Sequence, residues 1–251
     1  MSAKTNKRGI NLGKVWNKYL IIDIFFSAGE KDPQREAEIV LWLCSCRHRI
    51  FLPKNFAWYP KNVTPPVWWW LKSQSGQLET SQQGQFLFEH IRIDGEREVT
   101  KVTRIFTASR DSWNAEAFYL RCNGKGPTLC LIRSSHNYLA AGFTSIAWKS
   151  TDGTNVEDAS ACVFALTDKM QVFKPKNPKE AVRHNSMWGP YWYNALKLYG
   201  DMQNGWSFTK GHEYDYGKYE VARLPDGKNP LVGSTDEFDR FTCVELEVFA
   251  L

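Results

Sequence analysis

A chain of 251 residues with 43% hydrophobic and 24% charged content can bury a full core, which excludes a disordered protein and suits one domain of about 170 residues plus an extension. No run of 18 apolar residues occurs, and the longest apolar stretch, Tyr19 to Phe26, is interrupted by Asp23, so no membrane insertion is expected. The formal net charge of +5 is unevenly divided, with +7 on residues 1–78 and −2 on residues 79–251, so the basic character belongs to the first part of the chain.

The N-terminus, Met-Ser-Ala-Lys-Thr-Asn-Lys-Arg, has no apolar segment directly behind its basic residues and lacks the glycine needed for myristoylation, which points to a cytoplasmic chain. Val15, Tyr19, Leu20 and Ile22 partly follow helical spacing, and Pro33 ahead of the run from Arg35 to Leu43 predicts a better helix. Cys44, Cys46 and His48 alternate without a second ligand set at zinc spacing, so no metal is expected. Pro53, Pro60, Pro65 and Pro66 then break the chain. A basic segment carrying Trp16, Trp42, Trp58, Trp68, Trp69 and Trp70 has the means to bind nucleic acid or an acidic protein surface. Those rings sit within apolar runs, which favours packing against a domain, and nucleic acid is not the expected partner. Ser73 to Gly84, polar and without periodicity, is the best linker candidate. The division is then a basic, Trp-rich, partly helical extension, 1–79, and a domain, 80–251.

Beyond the boundary, apolar residues recur with strand spacing. Phe86 to Ile91, Val102 to Thr107, Thr128 to Arg133, Tyr138 to Phe143, Ala161 to Leu166 and Thr242 to Phe249 read as strands. Asp94-Gly95, Asp152-Gly153, Lys176-Asn-Pro178 and Asp226-Gly227 read as turns. One helix stands out, with Asn114 as its cap, Ala115, Ala117 and Phe118 as helix formers, and Gly124 to Pro127 turning the chain into the next strand. The predicted fold class is α+β, mostly β, a sandwich of two antiparallel sheets with peripheral helices.

Reactive groups are sparse. Cys122, Cys130, Cys162 and Cys243 lie in strand or helix patterns, as buried small apolar residues do, although an exposed thiol of lowered pKa would serve redox sensing. Glu245 and Glu247 share one face of a strand, either as an acid–base pair or as a solvated outer face. His136, His184 and His212 lack a strained nucleophile elbow, and no phosphate loop, dinucleotide fingerprint or zinc-protease motif occurs, so no cofactor is expected. Arg110 and Asp111 suit helix capping and ion pairing. The run Met187-Trp-Gly-Pro-Tyr-Trp-Tyr193 gathers aromatic rings around a glycine-proline turn, open to core packing or to use as a docking surface.

Several stretches carry a specific resemblance. Ser109-Arg-Asp-Ser-Trp-Asn114, Cys122-Asn-Gly-Lys-Gly-Pro-Thr-Leu129 and Ala141-Gly-Phe-Thr144 resemble the Ser-Arg-Asp-Gly-Phe, Cys-Asp-x-Lys-Gly-Pro-Thr-Leu and Gly-Gly-Tyr-Thr motifs of the TLDc domain family, in that order. Asp158 to Asp168, Lys176-Asn-Pro178, Asn185-Ser-Met-Trp-Gly-Pro190 and Glu245-Leu-Glu-Val-Phe249 are similar to its later motifs, so the likeness runs from about residue 85 to the end of the chain. Ser112-Trp113, Ala141 and Tyr193-Asn-Ala-Leu-Lys197 depart from the pattern, the last where many members have a glycine-rich turn and His-Asp-Leu. The resemblance implies two antiparallel sheets with peripheral helices and a protein-binding role without catalysis. Its expected partner is the peripheral sector of the vacuolar-type proton pump (V-ATPase), with an association to oxidative-stress resistance and a place near an organelle membrane only through that partner. Trp188, Tyr191, Trp192, Glu245 and Glu247 are the candidate partner contacts. Arg110, Asp111, Gly124, Gly126, Pro127, Gly142, Gly189 and Pro190 form the structural motif. Two alternatives stand beside this reading: a subunit of another complex anchored by the Trp-rich extension, and a hydrolase or redox enzyme using Glu245, Glu247 and a cysteine.

Overall fold

The segment expected to be a linker is folded. The computed structural model describes residues 66–91, 93, 99, 101–193, 195–209, 219–236 and 238–251, and the sequence readings placed on residues 1–65, on Asp94-Gly95 and on His212 lie outside them. Helix α1 (Val67–Gln74) begins behind Pro66, and helix α2 (Ser81–His90) follows a short connection. The amide of Gln83 donates to Thr80 Oγ1 at 3.2 Å while Gln83 Oε1 accepts from the Thr80 amide at 3.0 Å. This reciprocal capping box satisfies two free donors and starts the helix. Phe86 to Ile91, read as a strand from its alternation, is therefore helical to His90, with Gln83 and Leu87, four apart, turned inward.

The glutamines that made residues 73–84 look like a linker are anchors. Gln74 spans the edge of the next strand, its Nε2 donating to Val102 O at 2.8 Å and its Oε1 accepting from Arg104 N at 3.1 Å. Gln77 donates to Leu131 O at 3.1 Å and Gln83 to Leu166 O at 2.9 Å. Leu71 and Leu78 are buried between these contacts.

The remaining elements are β1 (Thr103–Thr107), α3 (Ala108–Asp111), α4 (Ala115–Cys122), β2 (Thr128–Ser134), β3 (Leu139–Thr144), β4 (Asp152–Val156), β5 (Cys162–Ala165), β6 (Gln171–Phe173), a 3-10 turn (Pro178–Glu180), β7 (Val182–Asn185), β8 (Tyr191–Trp192), β9 (Leu196–Leu198), β10 (Asn204–Trp206) and β11 (Arg240–Ala250). Asn114 caps α4 as expected, its Oδ1 accepting from Ala117 N at 2.8 Å. Gly153 does not turn the chain; it sits at φ 105° within β4, where the register with β7 shifts, as glycine at a bulge permits.

The fold is mostly β, but its sheets are one large and one small. Nine antiparallel strands run β6-β5-β3-β2-β11-β10-β9-β8, with β1 also on β11, and β4 pairs with β7 separately. Strand β11 is the hub: Arg240 to Thr242 pair with β10, Cys243 to Ala250 with β2, and Glu247 to Ala250 with β1. The two arms it joins meet face to face, packing Ile132, Ala140 and Val163 with Trp192, Leu196 and Leu198. The other face of β2, β3 and β5 packs Leu129, Leu131, Phe143 and Phe164 against Leu71, Leu78 and Leu87. Burial on both faces accounts for the unbroken apolar run Leu129-Cys-Leu-Ile132 in place of a clean alternation.

His184 on β7 is buried against the Trp148 ring at 5.4 Å, and its Nε2 has no hydrogen-bond partner. Burial, aided by Lys149, pushes its pKa down to about 4. The native ring is neutral, whereas the unfolded chain takes up a proton below pH about 6.5. Stability is therefore expected to fall as pH drops from about 6.5 to about 4, by up to about 3 kcal/mol, and to lose nothing more from this group below that. Urea midpoints at pH 7 and pH 4.5 check this, and His184→Gln should shrink the difference between them.

Candidate functional site

Strand register builds an unusual constellation among the described residues. Lys197 lies in the middle of β9, directly opposite Tyr191 of β8 on one side and Trp206 of β10 on the other. Tyr199, two residues on, and Phe208, two beyond Trp206, fall on the same face by strand alternation. Trp188 stacks on Tyr191 with ring centroids 5.4 Å apart and 12° between planes. The Lys197 Nζ stands 4.4 Å from the Trp206 ring centre, 4.9 Å from Trp188, 5.3 Å from Tyr191, and 5.7 Å from both Tyr199 and Phe208. All lie within the range of attraction between a cation and an aromatic face.

Lys197 is only 7% exposed. Burial, with the nearby positive charge of Arg183, lowers its pKa to about 8. Trp188, Tyr191, Tyr199 and Trp206 are half-buried, so the rings form a rim that reaches the surface, and Met187 beside them is 72% exposed. The box has a cation at its floor and no carboxylate among the described residues to neutralise it.

Of the candidate contacts read from sequence, the structure brings Trp188 and Tyr191 together on this face and removes Trp192 from it. Trp192 alternates with Tyr191 and points the opposite way; it is fully buried, with Nε1 donating to Phe143 O at 2.8 Å. Glu247 is no surface carboxylate either. It is 2% exposed and accepts from Arg104 Nη1 at 2.7 Å, Ser75 Oγ at 2.6 Å and Gly76 N at 3.1 Å. Glu245 accepts from the hydroxyl of Ser109 and, at 3.3 Å, from its amide. Glu245 also accepts from the Leu246 amide at 3.0 Å, so the bonding partners of the two glutamates lie on β1, α3, β11 and the α1–α2 connection, apart from the aromatic face. A bulge explains why Val244 is exposed while Leu246 and Val248 are buried: Cys243 and Glu245 oppose Ser134 and Arg133, leaving Val244 as the extra residue.

The structural motif does structural work. Asp111 accepts from Thr107 N at 2.9 Å and forms a two-pronged pair with Arg110, at 3.0 and 2.6 Å, which holds the Asp111 carboxyl below its usual range. Asp111 thereby bonds back to the end of β1, not forward to the α4 amides, and Arg110 pairs with its neighbour instead of with a strand carboxylate. Gly124 takes φ 70° in the turn after α4, a conformation glycine adopts freely. Gly126, ahead of Pro127, packs against the backbone of Ala147, Gly142 against the Trp192 ring, and Gly189 against Met202. Pro190 O accepts from Leu198 N at 3.2 Å, tying the turn to β9.

Lys197 is the residue that sequence reasoning missed. Its signal was present: a lone lysine between Leu196 and Leu198, with tyrosines and tryptophans at strand spacing in the flanking segments. It falls in the segment that departs from the family motifs. No cluster of three His, Cys, Asp or Glu side chains able to hold a metal ion occurs among the described residues, nor a helix long and apolar enough to cross a membrane.

No curated protein gives a significant match to the chain. The family model of the TLDc domain matches residues 72–251, which takes in the three anchoring glutamines at 74, 77 and 83, the β11 hub and the whole aromatic box. The chain belongs to the TLDc domain family.

Proposed function

We propose that this chain is a non-catalytic TLDc protein that docks on a larger protein assembly through the aromatic face around Trp188 and Tyr191. The observation that carries the reading is the cluster of half-buried tryptophan and tyrosine rings beside the exposed Met187 on a domain of this family, since such side chains supply much of the affinity in protein interfaces. The peripheral sector of the vacuolar-type proton pump is the partner we favour, with a contribution to oxidative-stress resistance through that assembly. The test is a pull-down of the tagged full chain from cytosol, read by mass spectrometry, beside a Trp188→Ala variant of unchanged melting temperature. Pump subunits on the wild type that Trp188→Ala loses would support the reading; their absence, or equal recovery by the variant, would remove it.

The chemistry of the reactive groups favours binding over catalysis. Cys122, Cys130, Cys162 and Cys243 are all buried, and burial raises every one of their pKa values, that of Cys162 to about 12. Thiolates, the nucleophilic form, are thereby suppressed. A full chain carrying Cys44→Ser and Cys46→Ser is expected to react slowly with a disulfide reagent at neutral pH and to release its thiols only on denaturation. Fast modification of any one of the four would revive the redox alternative.

A further inference from the structure

The ammonium of Lys197 has three N–H donors and no acceptor capacity. Ring faces attract its charge but offer no lone pair in the directions its hydrogens point. Among the described residues it meets five such faces and no carboxylate. Lys197 is 7% exposed, yet its Nζ is not among the enclosed side-chain atoms left without a partner in the described residues, so the tip opens to solvent, where an anion can reach it and neutralise it. Among the described residues the charge that acts on it is the like charge of Arg183, so the floor of the box is electropositive. Its wall is amphipathic: Trp188, Tyr191, Tyr199 and Trp206 are half-buried and able to pack against the apolar stem of an incoming side chain.

We infer that the box is a receptor for one carboxylate, the Asp or Glu side chain of a protein partner, which enters between the rings and pairs with Lys197. The assignment rests on the reading of the aromatic face as a docking surface and adds to it the chemistry that the partner must present. An acidic anchor flanked by apolar residues fits; a basic peptide is repelled by Lys197 and Arg183 together. Desolvation within the ring wall strengthens the pair relative to one at an open surface, so Lys197 gives the contact its specificity while the rings exclude water.

The experiment is a nuclear magnetic resonance titration of the full chain labelled with carbon-13 lysine, with the Lys197 ε-carbon assigned by its loss in Lys197→Met. The probes are N-acetylglutamate amide and its neutral isostere N-acetylglutamine amide at equal ionic strength. The first is expected to shift the Lys197 signal saturably and to raise its titration midpoint by roughly 1 pH unit or more, and the second to do neither. Equal shifts with both probes, or none with either, overturn the receptor. Lys197→Met should also melt no lower than the wild type at pH 7, because an apolar side chain of similar length removes a buried charge. Loss of its melt would mark Lys197 as structural glue and count against the assignment, while the wild-type titration remains readable, with Lys197→Arg supplying the signal assignment. A pull-down separates the two levels of the argument. Partner retained by Lys197→Met but lost by Trp188→Ala removes the carboxylate site and leaves the docking face, whereas partner retained by both removes both.

Discussion

A chain spanning residues 66–251 is expected to melt in one cooperative transition, and a chain spanning 80–251 to lose that transition or to aggregate. The difference is a strap, residues 66–79, whose anchoring contacts point into the domain. Its removal takes Leu71 and Leu78 out of the core and uncovers the face formed by Leu129, Leu131 and Phe143. Each leucine is worth roughly 2 kcal/mol or more at a fully buried site. The strap also carries the Gln74 amide that closes the edge of β1 and the Ser75 and Gly76 donors to Glu247. Losing these together approaches the whole stability of an ordinary domain, about 5–15 kcal/mol. Calorimetry on the two fragments decides the matter, with Leu78→Ala in the full chain as the milder control. Equal melting temperatures for both fragments would show that the strap is dispensable and that the boundary near residue 80 is sufficient.

The strap shows why the sequence was easier to read in some places than in others. Strands β1, β2, β3, β5 and β11 were visible because each contributes an apolar run bounded by turn residues, and Asn114 announced α4 because a cap is a local event. The glutamines at 74, 77 and 83 were misread because polarity suggests solvent, and only a tertiary view reveals that their amides satisfy backbone groups of the sheet. Phe86 to Ile91 misled for another reason: three contiguous apolar residues suit a strand or a helix, and the decisive signal was the Thr80–Gln83 box placed upstream. The short strands β8, β9 and β10 have two or three residues each, too few to establish a period. Lys197 escaped with them, since its surroundings are assembled by pairing across three strands. Glu245 and Glu247 looked alike in sequence, and they differ because residues 75 and 76 cover only one of them.

Trp192→Ala is expected to destabilise the domain by about 3–5 kcal/mol, the usual cost of emptying a large aromatic site in a core. The ring fills the space where the two arms of the sheet meet, in edge contact with Trp148 at 5.7 Å, and its Nε1 satisfies the Phe143 carbonyl. Gly142 is the complementary half of this contact. A Cβ there would stand 2.5 Å from two carbons of the Trp192 ring, a distance the packed core cannot accept without displacing a strand. Gly142→Ala should therefore cost roughly 1–3 kcal/mol through overpacking. The two changes oppose each other in volume, which makes their combination diagnostic. If the ring and the missing side chain fit as described, the methyl group added by Gly142→Ala occupies part of the space vacated in Trp192→Ala. The double variant then loses less than the sum of the singles by about 0.5 kcal/mol or more, the coupling usual between residues in contact. Urea denaturation of the wild type, both singles and the double supplies all four corners of the cycle. Strict additivity would mean that the ring and the glycine do not touch. If a partner docks on the Trp188 face, its recovery by Trp192→Ala at a temperature below the melt should match the wild type, because Trp192 is buried on the opposite face of the same short arm.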